Sequence, residues 1–138
     1  MIKLDSETVY AHDWQGQSLS ESVHKDFKVR LSHKVDVLFE RVQQILDMRS
    51  KTKKVKIKIY PDKKALRLAY FALFYKKCRL KAWYLFERNT VYVTVEDIHA
   101  GMLAHELAHA IIDHYFSVRP PKATAEILAR YVDKHLEM

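Results

Sequence analysis

His105-Glu106-Leu107-Ala108-His109 lies inside the run from Ile98 to Ile112, and its spacing governs how the rest of the chain is read. On an α-helix, residues four apart sit one above the other, so both imidazoles can reach one ion. Glu106 is offset around the axis and can approach a water beside that ion without joining its inner shell. With 8 His and 8 Glu in the chain, composition alone would produce this pattern in about 3% of such sequences. The helical setting makes coincidence rarer still. Leu103, Leu107, Ala110, Ile111 and His114 follow the 3.6-residue period and form a mostly apolar face. Gly101, His105, His109 and Asp113 form a separate row at steps of four. Gly in a helix interior costs roughly 1 kcal/mol against Ala, so Gly101 predicts another backbone passing close to that face.

A catalytic zinc commonly takes three protein ligands and keeps its fourth position open. Arg119-Pro120-Pro121 ends the first helix, because Pro lacks the amide donor and restricts the residue before it. A second helix then reads from Lys122 to Leu136, with Ile127, Leu128, Tyr131, Val132 and His135 or Leu136 at helical spacing. Glu126 stands in its early turns, where the dipole favours a carboxylate, flanked by small residues that permit close helix packing. Glu126 is the preferred third ligand. His114 follows His109 by five residues and points about 140° away on the same helix. Cys78 reads as an inert half-buried thiol, and His135 as a helix-end residue near the negative end of the dipole.

His105-Glu106-Leu107-Ala108-His109 followed by a helix carrying Glu126 resembles the gluzincin branch of zinc metallopeptidases. The short interhelical loop and small chain are most similar to the minimal soluble members, the minigluzincins. The resemblance spans residues 54–136, although the chain lacks the N-E-x-x-x-D form of thermolysin-like enzymes. It implies peptide-bond hydrolysis with Zn2+ held by His105, His109 and Glu126, and Glu106 as general base and acid. It also implies that a peptide or protein substrate adds as a strand to the sheet edge beside the metal helix. The residues leave open which strand forms that edge. An oxyanion donor is needed besides the metal, and Tyr131 is preferred over Tyr115 and His114. Asp113 and Thr124 are candidate outer partners of the ligand imidazoles.

The expected fold class is α+β and zincin-like: a small mixed or antiparallel sheet packed on helices, with the active-site helix and the glutamate helix in sequence. Lys54 to Tyr60 alternates strictly, which predicts a strand with one apolar and one lysine face. Pro61 opens a helix to Lys77, apolar through Leu66, Ala69, Tyr70, Leu73 and Phe74. Leu80–Glu87 and Thr90–Val95 read as an antiparallel hairpin turning at Arg88-Asn89. Glu96-Asp97 places acids at the start of the metal helix. A long helix is expected from Ser20 to Arg49, striped by Val23, Phe27, Leu31, Val35, Leu38, Val42 and Ile45.

Residues 1–19 show no clear period and read as an arm, flexible or lying over the cleft as a latency segment. Residues 20–138 read as one domain with its core in 54–136. The chain has 138 residues, 49% hydrophobic, enough for a real core, and one Cys allows no disulfide framework. No apolar run reaches membrane-spanning length and no signal peptide is evident, so no membrane partner and a cytoplasmic location are expected if the chain is complete. The net charge of +7 concentrates in Lys51–Lys58, Lys63-Lys64 and Lys76–Lys81. A solvated lysine face is the preferred reading. The alternative is a noncatalytic zincin-fold module whose basic surface binds nucleic acid or acidic partners.

Overall fold

The computed structural model describes residues 2–4, 21–49, 55–77, 80–94 and 99–136. Strand β1 (Ile2–Leu4) is followed by helix α1 (Glu21–Leu46), strand β2 (Val55–Tyr60) and helix α2 (Lys63–Phe74). Strand β3 (Ala82–Leu85), a short 3-10 turn at Phe86–Arg88, and strand β4 (Thr90–Thr94) lead to helices α3 (Ala100–Tyr115) and α4 (Lys122–His135). The chain is thus a mixed α+β protein. Its sheet runs in the order β1-β2-β4-β3; β1, β2 and β4 are parallel and β3 is antiparallel to β4.

Alternation along the strands divides the interior in two. Val55, Ile57 and Ile59 of β2 and Val91 and Val93 of β4 are buried on one face, against Leu103, Leu107 and Ile111 of α3, Val35, Leu38 and Val42 of α1, and Ala125, Ala129 and Val132 of α4. Trp83 and Tyr92 point to the opposite face, where Leu66 of α2 meets them in a second, smaller core. The period of two thus builds a layer on each side of the sheet. Trp83 stacks on Tyr92 at 4.7 Å between ring centroids, with Tyr70 edge-on to it at 5.0 Å.

The expected lysine strand and long helix are both present, and Lys56 lies exposed on the face opposite Ile57. Other details differ. Pro61 precedes the cap of α2 rather than occupying its first turn: Asp62 Oδ1 accepts from the Ala65 amide at 2.8 Å. That helix ends at Phe74, where Tyr75 turns left-handed with φ 55°. β3 stops at Leu85, and the connection runs through the 3-10 turn to Asn89, also left-handed at φ 46°. Asn tolerates that conformation better than most residues. Residues 2–4 of the arm form β1, at the sheet edge opposite β3. The rest of the arm, Cys78, Glu96-Asp97 and the side chains of Val23 and Phe27 lie outside the described residues.

Two packing expectations are corrected. Ile127 is 66% exposed, because α4 meets the core through Ala125, Ala129 and Val132 instead. Among the described residues no backbone is pressed against Gly101, and a methyl there would meet the His99 ring at 3.5 Å. His99 itself caps α3, its Nδ1 accepting from the Met102 amide at 3.2 Å.

Candidate metal centre

Helix α3 buries Leu103, Leu107, Ala108, Ile111 and Ile112, and this fixes the orientation of its opposite side. His105, Glu106 and His109 are left half-buried on the wall of a cleft of about 690 Å³. Helix α4 lies alongside through two small residues, Ala125 at 3% and Ala129 at 0% exposure. Close approach of the two backbones brings Glu126 over the imidazoles. His105 Nε2 lies 3.2 Å from Glu126 Oε1, and His109 Nε2 lies 3.1 Å from Glu126 Oε2. One ligand atom from each of the three residues falls within 4.8 Å of the others, a group that could hold a metal ion.

The chemistry of the donor set fits a cation. His105 Nδ1 is 2.9 Å from Asp133 Oδ2, so an N–H there donates to the carboxylate. With the ring neutral, Nε2 presents its lone pair to a Glu126 carboxylate oxygen, an arrangement that a shared cation would satisfy. Burial and the neighbouring His105 lower the pKa of His109, favouring the neutral, ligand-competent imidazole. Tetrahedral ligands about 2.0–2.1 Å from a zinc ion are roughly 3.3 Å apart, close to the two separations above.

Asp133 was not singled out by the sequence reading. It lies seven residues beyond Glu126, almost two full turns, and therefore on the same stripe of α4. Applying that count to both carboxylates would have found it. Of the two outer partners expected from sequence, Asp113 lines the cleft four residues beyond His109. Asp113 is buried and accepts from Arg119 Nε at 3.2 Å, while Thr124 is exposed.

Glu106 lines the same cleft. Burial pushes its carboxyl up to about 7; His105 pulls the other way, and the charges of Glu126 and Asp133 add to the rise. A carboxylate poised near neutrality can both accept and return a proton. Tyr131 is placed differently. It follows Glu126 by five residues, about 140° around α4, is 47% exposed, and stacks on His135 at 4.0 Å. It is not among the residues lining the cleft. His114 stacks on Phe86 at 4.7 Å, and Tyr115 is 41% exposed.

The cleft has a phenol that the sequence reading missed. Tyr84 points from β3 towards α3, its hydroxyl 2.7 Å from Asn89 Oδ1 and 2.9 Å from His114 Nε2. Burial, reinforced by Asp113, drives its pKa upward, which keeps the phenol neutral and able to donate. Strand alternation carried the signal, since Ala82 and Tyr84 share the face towards the metal helix. Of the two hairpin strands, β3 is the sheet edge, and it contributes Ala82 to Leu85 to the cleft. No family model matches the chain, and neither a curated protein nor a solved structure matches it.

Proposed function

We propose that this chain is a zinc-dependent metallopeptidase of gluzincin type, with a zincin-like domain that hydrolyses peptide bonds. The observation carrying this reading is the joint placement of His105, His109 and Glu126 as a three-ligand group with Glu106 beside it in one open cleft. A purely structural metal site has no use for a further carboxylate held beside it in an open cleft. When bound, zinc supplies Lewis-acid polarisation of a carbonyl and acidifies water. His105, His109 and Glu126 hold the ion, and Asp133 fixes the ring of His105 through Nδ1. Glu106 takes a proton on its carboxylate from the attacking water and returns it to the leaving amine.

β3 supplies the binding surface in this reading. An edge strand offers unpaired amides and carbonyls, so an extended peptide joins the sheet there and crosses the cleft beside Glu106. The test is a peptide-library digest with the zinc-loaded protein and its Glu106→Gln variant. Cleavage by the wild type, lost in a variant that still binds zinc, supports the assignment. Equal cleavage by both proteins would remove Glu106 from the mechanism. No cleavage by the zinc-loaded wild type across the library would favour a binding module instead.

A further inference from the structure

Helix α2 buries one side and exposes another that the metal site does not use. Leu66 is 1% exposed beneath it, whereas Leu68, Phe71 and Tyr75 on the far side are 62%, 54% and 80% exposed. Leu68 and Phe71, three residues apart, share one stripe of the helix, and Tyr75 caps its end beside them. The ring of Phe71 meets that of Tyr75 edge-on at 6.1 Å. A shallow groove of about 410 Å³ over this face is lined by Leu68 and Phe71 together with Lys64, Arg67, Lys76 and Lys77, and no acidic residue lines it. Apolar side chains flanked by cations on one exposed helix face match an anionic bilayer surface. The hydrocarbon side chains enter the headgroup boundary while the cations meet phosphates.

We propose that the outward face of α2 docks on anionic phospholipid, with Leu68, Phe71 and Tyr75 inserted and Lys64, Arg67, Lys76 and Lys77 holding the headgroups. No described helix is long and apolar enough to cross a membrane. Interfacial docking needs no such helix, so the want of a spanning segment does not bear on it. A second copy of the chain is a poor occupant, because its identical cationic groove would repel the first. A nucleic acid backbone would meet the cations but leave Leu68 without a partner. The inference is independent of the metal reading. Tyr70 and Phe74, on the inner side of the same helix, line the metal cleft, so a docked α2 holds that cleft beside the bilayer.

Co-sedimentation of the full chain with vesicles tests this. The probes are phosphatidylcholine alone and phosphatidylcholine with about three tenths phosphatidylserine, at about 0.1 M salt. The expected result is binding at least about tenfold tighter to the anionic vesicles, weakened by added salt. A Leu68→Ser/Phe71→Ser double variant should lose about tenfold, and Lys64→Glu/Arg67→Glu at least as much. All four substituted side chains are exposed, and far-UV circular dichroism checks that helix content is kept. Absence of anionic-vesicle binding by the wild type overturns the proposal. So does wild-type affinity in either variant. A duplex DNA probe captured while vesicles are ignored assigns the face to nucleic acid.

Discussion

Two carboxylates beside the histidines, Asp133 and Glu106, can each be isolated. Asp133 bonds His105 through Nδ1 at 2.9 Å. Asp133→Ala should therefore weaken zinc binding by about 10–100-fold without abolishing it, while Asp133→Asn, which can still accept from Nδ1–H, should recover part of the loss. Competition with a chelating indicator measures both; unchanged affinity in Asp133→Ala would remove the orienting role. Glu106 bears on stability. Its folded pKa of about 7 exceeds its ordinary value of 4.5, so the unfolded chain releases this proton at lower pH. In the metal-free protein this group's contribution is fully present below about pH 4.5 and is lost as pH rises through 7. Glu106→Gln should consequently be more stable than the wild type by about 2 kcal/mol above pH 7.5, with no such gain near pH 4. The lowered pKa of His109 works in the other direction, costing stability as pH falls, and it is common to both proteins. Chemical denaturation across that range gives the difference directly. A gap that does not widen with pH would show that Glu106 is not held protonated by burial.

At the scale of the element, α3 and α4 make the site together. Ala129 of α4 is fully buried in the core that it shares with α3. Ala129→Leu should cost about 1–3 kcal/mol and separate Glu126 from the imidazoles, so zinc affinity falls as well. Metal binding like the wild type's in a folded Ala129→Leu protein would show that the alanine contact does not set the spacing. Gly101 gives a contrasting case. Among the described residues the His99 ring alone stands near a methyl placed there, at ordinary contact distance. Gly101→Ala should therefore stabilise the protein by about 0.5–1 kcal/mol through helix propensity, read as a raised Tm. Elements with strong local signals were legible: the alternating β2, the striped α1, and the H-E-x-x-H helix. The buried face of α4 was not, since periodicity counted large apolar residues such as Ile127 and overlooked the alanines that a close helix contact selects. Capping details were lost for a similar reason, because Asp62 and His99 act through geometry that composition does not display.

For the whole molecule, the site was more legible than its surroundings. Spacing and helix order point to His105, His109 and Glu126, and the three stand together in the structure. Tyr84 and Asp133 depend on how β3 and α4 are turned towards α3, a tertiary relation that no local pattern states. The sheet order was equally out of reach: local pairing signals the β3–β4 hairpin, but not the parallel β2–β4 contact that leaves β3 at the edge. Because α3 joins the main core to the metal group, bound metal should stabilise the entire fold. At a hundredfold excess over its dissociation constant, zinc adds about 2.7 kcal/mol to unfolding free energy, and chelation should remove that gain.

Elemental analysis of metal content per chain, comparing wild type with Glu126→Ala after identical purification and zinc reconstitution, tests the centre most directly. About one zinc per wild-type chain with a large loss in the variant is the expected result for a His105, His109 and Glu126 site. Equal retention in both proteins would move the third ligand elsewhere, and no zinc in either would reduce the histidine pair to an accident of composition.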